Sequence, residues 1–190
     1  MDAAVPRAAE ALARGGLVVY PTDTLLGLGA AATDRRAVAR LEALKGRPPG
    51  QPLSVAVSST EEIERWSEPD PPARSWMRRH LPGPYTVLLP PSREARRRLA
   101  ASVVPPDGAI ALRVPDHPVA RELARRAGPI VATSANRHGA PPARTVAEAR
   151  RALGDRVAVY LAIGPAPSGR PSEYVDLRGP EPRLLARGGR

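Results

Sequence analysis

The sequence of 190 residues contains no cysteine and no phenylalanine, and its aromatic residues are two tryptophans and four tyrosines. Without cysteine the chain can form no disulfide, no thiolate zinc site and no cysteine nucleophile. So few aromatic rings argue against sequence-specific recognition of nucleic acid by base stacking. No apolar run has the length of a membrane span or of a signal-peptide core, so we expect a soluble, cytoplasmic protein with no membrane partner.

Three polar residue types occur once each: Lys45 is the only lysine among 29 basic residues, Gln51 is the only glutamine and Asn136 is the only asparagine. An ammonium is a compact point charge suited to reaching one phosphate oxygen, whereas a guanidinium is a planar fork. A chain that uses arginine elsewhere and keeps one lysine therefore indicates that chemistry at position 45 needs an ammonium. Chance is the alternative that a single residue leaves open.

The chain is strongly basic, with a formal net charge of +10 at pH 7. A surplus of this size is typical of proteins that meet a polyanion, such as nucleotide phosphates or nucleic acid. Weak attraction of double-stranded RNA or tRNA is one expectation, and an arginine-rich surface that only faces water is the other.

Apolar runs that alternate with helical patterns predict the secondary structure. Strands are expected at 17–20, 53–57, 85–89, 109–115, 129–133 and 156–163. Helices are expected at 3–14, 34–45, from 59, at 72–80, 117–128 and 145–154. Several strand pairs have no helix between them, which favours a mixed, twisted sheet over a strictly doubly wound one. We therefore predict an α/β (α+β) fold in which residues 1–190 form one domain.

Polar clusters follow predicted strands or helices at residues 22–24 (TDT), 45–47 (KGR) and 133–136 (TSAN). Hydroxyls and backbone N–H groups in such turns can hold phosphate or carboxylate oxygens, and Lys with Arg can neutralise a triphosphate. For any one cluster, ordinary turn and cap chemistry is the simpler explanation. The three clusters together favour a binding site.

Other sequence patterns are weak or absent. Residues 27–32 (GLGAAA) match GxGxxA, but PTDTLL separates them from the preceding strand and no acidic residue follows at the required distance. The chain has no GxxxxGK[ST] phosphate loop, no serine in a nucleophile elbow and no histidines at metal-ligand spacing, so no metal site is predicted. His117 precedes Pro118 at a helix start, which favours a helix cap over a catalytic base.

Six motifs in order carry a resemblance that covers nearly the whole chain. They are PTDTLLGLG at 21–29, KGRPPGQPL at 45–53, LPGPYT at 81–86, RVPDHP at 113–118, PIVATSAN at 129–136 and PSEYVDL…RLLARGG at 171–189. The tail is similar to STVVDL…ILRxG, and the series resembles the threonylcarbamoyl-AMP synthase family, the YrdC-like proteins.

This resemblance implies a single-domain twisted α/β sheet with helices around it and a large basic concave cleft. It implies an enzyme, a nucleotidyltransferase that converts L-threonine, bicarbonate and ATP into threonylcarbamoyl-AMP and pyrophosphate. Mg²⁺ would accompany ATP as substrate, and no prosthetic group is implied. The product would feed the N6-threonylcarbamoyl modification of tRNA adenosine 37 through downstream threonylcarbamoyl-transferase proteins.

The resemblance also assigns roles to residues at matching motif positions. Lys45 and Arg47 would bind the triphosphate and stabilise the charge that develops as pyrophosphate leaves, with Lys45 exposed at a helix end and dispensable for the fold. The nucleotide side would be formed by Lys45, Arg47, Gln51, Ser134, Asn136 and Arg187. The threonine and bicarbonate side would be formed by Thr24, Arg113 and Ser172.

Four positions depart from the family pattern on the amino-acid side. Leu26 stands for a tyrosine, Ala56 for a histidine, and Ala109 and Glu173 each for a threonine. These departures keep open a paralogue that makes a carbamoyl-adenylate on another acceptor. The basic charge keeps open a module that binds double-stranded RNA or tRNA without turnover.

Overall fold

The structure, a computed structural model, describes residues 3–47, 51–105, 108–165 and 167–186. The helices in this part of the chain are α1 (Ala4–Ala13), α2 (Arg35–Lys45), α3 (Thr60–Trp66), α4 (Pro71–His80), α5 (Arg93–Arg98), α6 (Pro118–Ala127) and α7 (Val146–Leu153). The strands are β1 (Val18–Tyr20), β2 (Gly27–Ala31), β3 (Ser54–Ala56), β4 (Tyr85–Leu89), β5 (Ile110–Arg113), β6 (Ile130–Ser134), β7 (Val159–Tyr160), β8 (Glu173–Asp176) and β9 (Arg183–Leu185). No helix among these residues is long and apolar enough to cross a membrane.

Helix α2 shows how local sequence sets the boundaries. The Asp34 carboxylate accepts hydrogen bonds from the backbone N–H groups of Arg36 at 2.9 Å and Ala37 at 3.0 Å. At the other end Gly46 has a φ of 65°, the left-handed conformation that terminates helices. These two signals agree with the helix expected at 34–45, and together they fix Lys45 in the last helical turn.

The nine strands form one mixed sheet in the order β7-β1-β2-β6-β3-β5-β4-β8-β9. The β1–β7, β3–β5 and β4–β8 pairs are parallel, and the β1–β2, β2–β6, β3–β6, β4–β5 and β8–β9 pairs are antiparallel. The predicted α/β fold with a twisted mixed sheet and flanking helices is confirmed.

The two faces of the sheet are covered differently. On one face Val19, Leu28 and Val55 pack into a large core shared with α2 to α5 and α7. On the other face a smaller core holds Val18 and Tyr20 against α1 and α6 at the β7–β1–β2–β6 side. Toward β3, β5, β4 and β8 this second face opens into a cavity. The candidate site therefore lies where α1 and α6 no longer cover the sheet.

Strand β2 was not predicted, because the sequence GLGAA has little β-propensity. Its neighbours β1 and β6 impose the strand by pairing on both sides. A Cβ added at Gly29 would lie 2.7 Å from Ile130 Cγ2 and 2.9 Å from Tyr20 Cε1. The glycine is therefore required by the close approach of the Tyr20 ring.

The segment from 161 to 172, which we call the crossing segment, links β7 at one side of the sheet to β8 near the other. Its described residues contact the turn after β1: Ser168 N donates to Asp23 O at 3.0 Å, and Gly169 N donates to Thr24 O at 2.9 Å. The buried His117 ring also contacts this segment, with Nε2 3.1 Å from Pro165 O. His117 is the N-cap residue of α6, as predicted, although its side chain makes no cap hydrogen bond.

Candidate functional site

A cavity of about 480 Å³ lies on the open part of the second sheet face. Alternate strand residues form its floor, because successive side chains of a strand point to opposite faces. The floor residues are Gly27, Ser54, Thr86, Arg113, Ala132, Ser134 and Tyr174. Segments from distant parts of the chain form its walls, at 22, 24–26, 47, 51–53, 138, 172 and 185–186.

The turn after β1 is organised by the Thr22 hydroxyl. Thr22 Oγ1 donates to Leu25 O at 2.7 Å and accepts from the backbone N–H groups of Thr24 and Leu25, each at 3.2 Å. The two threonine hydroxyls of this turn lie 3.0 Å apart. This network turns the Thr24 hydroxyl toward β5, and both threonines line the cavity.

Arg113, at the end of β5, joins the turn to the floor. Its Nη1 donates to Thr24 Oγ1 at 2.9 Å, and its Nη2 forms an ion pair with Asp23 Oδ1 at 2.7 Å. Arg113 Nε and Asp23 Oδ2 are buried and have no hydrogen-bond partner among the described residues. Burial raises the pKa of the Asp23 carboxyl, although the Arg113 charge opposes that shift.

Lys45 is buried rather than exposed, which corrects the expectation from the sequence: its relative exposure is 4%. Its Nζ donates to Ser134 O at 2.7 Å and to Asn136 O at 2.8 Å. Its own carbonyl accepts from His138 N at 2.7 Å. Lys45 thus holds the end of β6 and the loop after it through both its side-chain ammonium and its backbone carbonyl. Its replacement is therefore expected to affect the fold.

The pKa of Lys45 is lowered from 10.5 to about 8, chiefly by burial and then by the nearby positive charge of Arg47. An ammonium in this position stays mostly protonated at neutral pH and loses its proton in mildly alkaline solution. Asn136 shares the same buried environment, and its Nδ2 donates to Arg137 O at 2.9 Å and Ala140 O at 2.6 Å. Neither Lys45 nor Asn136 is part of the cavity lining, whereas Ser134 is.

Arg47 and Gln51 both line the cavity. Arg47 Nη2 donates to Pro52 O at 2.8 Å, which ties the arginine to the approach to β3. Arg187, predicted on the nucleotide side, lies outside the described residues. Its predecessor Ala186 lines the cavity.

Ser172 lines the cavity, and its hydroxyl lies 3.0 Å from Thr86 Oγ1 on β4. Thr86 was missed by the sequence analysis, as were Ser54 and Tyr174, whose hydroxyls lie 2.9 Å apart. All three are strand residues on the face opposite the large core. Alternation within each strand could have indicated that face, but not which strands meet around one cavity.

The departures from the family pattern occupy different environments. Leu26 lines the cavity, whereas Ala56 is fully buried on β3, in register with Arg113. Glu173 is exposed and Ala109 is half-buried. Among the described residues, no group of three or more His, Cys, Asp or Glu could hold a metal ion. The strongly basic character of the cleft stays a prediction, since one of its lining arginines is already paired with Asp23.

Comparisons with known proteins extend over almost the whole chain. A family model named Sua5/YciO/YrdC, with the description "Telomere recombination", matches residues 10–188. A protein of Mycobacterium tuberculosis named putative threonylcarbamoyl-AMP synthase is 42% identical over 183 residues, which cover 95% of this chain and 82% of the relative.

Two solved structures show the same architecture. P. abyssi Sua5 complexed with L-threonine matches with a TM-score of 0.87 and 32% identity, over 97% of this chain and 54% of the Sua5 chain. E. coli YciO matches with a TM-score of 0.83 and 27% identity, over 95% of this chain and 87% of the YciO chain. This chain therefore spans about half the length of the Sua5 chain. With the family model matched along most of its length, the chain belongs to the Sua5/YciO/YrdC family.

Proposed function

We propose that this chain is a threonylcarbamoyl-AMP synthase, which converts L-threonine, bicarbonate and ATP into threonylcarbamoyl-AMP, pyrophosphate and water. The observation that carries the proposal is that one cavity gathers six residues expected at such a site. They are Thr24, Arg47, Gln51, Arg113, Ser134 and Ser172. The name of the mycobacterial relative and the L-threonine held by P. abyssi Sua5 support the same reaction.

The chemistry requires two bond-forming steps and no redox change. The threonine nitrogen bonds to the carbon of bicarbonate with loss of water, which gives a carbamate. A carbamate oxygen then attacks the α-phosphorus of ATP, and the bond from that phosphorus to the pyrophosphate oxygen breaks. A protein can promote such steps by holding the reactants in line and by stabilising the charge on the leaving group.

We assign the amino-acid end of the cavity to Arg113, Thr24 and Ser172. The Arg113 guanidinium would donate to the threonine carboxylate, since a planar fork matches two carboxylate oxygens. The Thr24 hydroxyl, 2.9 Å from Arg113 Nη1, would meet the same amino acid. The Ser172 hydroxyl, paired with Thr86, would face bicarbonate or the carbamate formed from it.

We assign the nucleotide end to Arg47, Gln51, Ser134 and Arg187, with Lys45 and Asn136 behind them. A triphosphate in the cavity would compete with the Ser134 and Asn136 carbonyls for the Lys45 ammonium. Such competition needs only a small movement, because Ser134 is itself part of the lining. The charges of Lys45 and Arg47 would then stabilise the departing pyrophosphate.

Mg²⁺ would enter with the triphosphate as part of the substrate, and no prosthetic group is needed for this chemistry. The described lining offers hydroxyl oxygens but no carboxylate, and protein-bound Mg²⁺ commonly relies on substrate phosphates. The adenylate would pass to threonylcarbamoyl-transferase proteins that modify tRNA. We further propose that residues 1–190 act as one domain in this reaction.

The test is release of pyrophosphate from ATP by the purified protein, with threonine and bicarbonate each omitted in turn. We expect release to require both, and Arg113→Lys to raise the threonine KM at least tenfold because a bidentate contact is lost. Glu64→Gln, at an exposed site, is the matched control. Release that is equal without threonine would overturn the proposal.

The same assay separates the alternatives. Leu26 and Ala56 keep a different acceptor open, so a panel of amino acids is compared with threonine at fixed bicarbonate. Preference for another amino acid would identify a paralogue. Steeply salt-dependent binding of double-stranded RNA without any pyrophosphate release would identify an RNA-binding module.

A further inference from the structure

Ser54 stands between the two ends of the cavity along its own strand, β3. Arg47 Nη2, at the nucleotide end, donates to Pro52 O, two residues before Ser54. Ala56, two residues after Ser54, is in register with Arg113 at the amino-acid end. Pro52, Ser54 and Arg113 all line the cavity. Along β3, Ser54 is therefore the lining residue between the two ends.

The same residue stands between the two ends across the sheet. In the strand order β6-β3-β5, β6 carries Ser134 of the nucleotide end and β5 carries Arg113 of the amino-acid end. Ser54 on β3 is in register with Ala132 on one side and Ala111 on the other. Within this row of three residues, the Ser54 hydroxyl is therefore the one side-chain group that can form hydrogen bonds.

The Tyr174 hydroxyl gives the Ser54 hydroxyl a direction. The two oxygens lie 2.9 Å apart, although β5 and β4 separate β3 from β8 in the sheet. A phenol is a stronger acid than an aliphatic alcohol, so Tyr174 is the favoured donor and Ser54 the favoured acceptor. When Ser54 accepts this bond, its own proton is left to donate to a group in the cavity that it lines.

We propose that Ser54 donates a hydrogen bond to bicarbonate, and to the carbamate formed from it, with Tyr174 as the positioning residue behind it; this inference rests on the proposed function. In that reaction the bicarbonate carbon becomes bonded to the threonine nitrogen, and one of its oxygens then attacks the α-phosphorus of ATP. The bicarbonate must therefore lie between the amino-acid end and the nucleotide end, where Ser54 stands. The described lining suits an anion, because it holds two arginines and no carboxylate. Ser54 would share this ligand with Ser172.

The test measures initial rates of pyrophosphate release while one substrate at a time is varied, in buffer freed of dissolved carbon dioxide. Ser54→Ala removes the hydroxyl and should raise the bicarbonate KM about tenfold, since a hydrogen bond to a charged group is lost. The KM values of ATP and threonine should stay within about twofold, because a general structural defect would not select one substrate of three. A bicarbonate KM that rises less than about threefold, or equal rises for all three substrates, would overturn the inference.

Tyr174→Phe keeps the ring and removes the donor that orients Ser54. It should raise the bicarbonate KM about threefold, and the double variant should be no worse than Ser54→Ala, because Tyr174 acts through Ser54. Additive effects would mean that Tyr174 binds the substrate itself, which overturns its positioning role. Should Ser54→Ala fail to fold, Tyr174→Phe decides, and an unchanged bicarbonate KM overturns the inference. Tyr160→Phe is the matched control: the Tyr160 hydroxyl donates to Gly154 O at 2.8 Å, outside the described lining, and its loss should leave every KM unchanged.

The outcomes separate this inference from the proposed function. If release requires threonine and bicarbonate but Ser54→Ala leaves the bicarbonate KM unchanged, the synthase proposal holds and the role of Ser54 is overturned. If release requires bicarbonate with another amino acid in place of threonine, the proposed function fails, and a bicarbonate KM raised by Ser54→Ala still supports the inference. Release that needs no bicarbonate overturns both.

Discussion

The ion pair between Asp23 and Arg113 provides a sharp test of how the site is held together. The two side chains are 13% and 8% exposed, and the Oδ1–Nη2 distance is 2.7 Å. We consider two single variants, Asp23→Asn and Arg113→Met, and the double variant. The first leaves a buried guanidinium with a neutral partner, and the second leaves a buried carboxylate without a cation.

The expected costs of the two single variants are unequal. Removing one partner of a buried pair typically costs about 3–5 kcal/mol, and we expect Arg113→Met to lie in this range. Asp23→Asn should cost under about 1 kcal/mol, because burial already raises the pKa of this carboxyl despite Arg113. The folded protein thus gives up the Asp23 charge more readily than the unfolded chain does. We expect a coupling energy of about 2 kcal/mol between the two residues.

Urea denaturation of the four proteins measures the free energy of unfolding and closes the double-mutant cycle. The exposed pair Arg74–Glu64, at 40% and 44% exposure and 3.1 Å, supplies the matched control cycle with Glu64→Gln and Arg74→Met. Its coupling should stay below about 1 kcal/mol. A coupling at Asp23–Arg113 no larger than the control, or equal costs for the two single variants, would refute the reasoning.

The raised pKa of Asp23 also predicts the direction in which the free energy of unfolding changes with pH. Because the folded pKa of Asp23 is raised above its ordinary value of 3.8, stability from this group is complete below that pH. It is lost as the pH rises through the folded pKa. Asp23→Asn should remove that loss, so the difference in unfolding free energy between wild type and variant should change across the mildly acidic range. A constant difference from pH 4 to pH 7 would contradict the shift.

Three further predictions concern other parts of the molecule. Lys45→Met should lower the free energy of unfolding by about 2 kcal/mol in urea, since two carbonyls lose a charged donor; an unchanged value would refute its role in the loop. Pyrophosphate release should fall as the pH rises above about 8, where Lys45 loses its charge. Lys45→Arg should remove this decrease at alkaline pH, and the same decrease in the variant would exclude Lys45 as its source. Gly29→Ala should lower the free energy of unfolding by about 1–3 kcal/mol, because its Cβ would meet Ile130 at 2.7 Å. Gly179→Ala, with no atom within 4 Å, should be nearly neutral. Equal losses of stability in the two variants would contradict the packing argument.

Much of the fold follows from local signals in the sequence. Helix α2 begins at a side-chain cap and ends at a glycine, as its residues predict. Strand β2 was missed for a physical reason. Its five residues GLGAA carry no β-branched side chain, and their extended conformation comes from pairing with β1 on one side and β6 on the other. Such pairing is a property of the assembled sheet.

Part of the site was missed for the same reason, because it depends on contacts between distant parts of the chain. The position of Lys45 in the last turn of α2 follows from local sequence, but its burial depends on a loop about 90 residues further along the chain. Tyr174 and Ser54 lie 120 residues apart in sequence, and no local pattern indicates that their hydroxyls meet. The polar clusters could be found because rare residues mark them, whereas the register that assembles the floor could not.

The central place of β6 in the sheet has a consequence for synthesis of the protein. This strand joins β7, β1 and β2 to β3, β5, β4, β8 and β9, yet it is made only at residues 130–134. Until then, the strands already made, β1 with β2 and β3 with β4 and β5, lack the strand that joins them. Pairings between residues so distant in sequence form slowly, because the intervening chain must be closed first. The cavity floor can be completed only after β8 has left the ribosome, and the sheet only after β9 has.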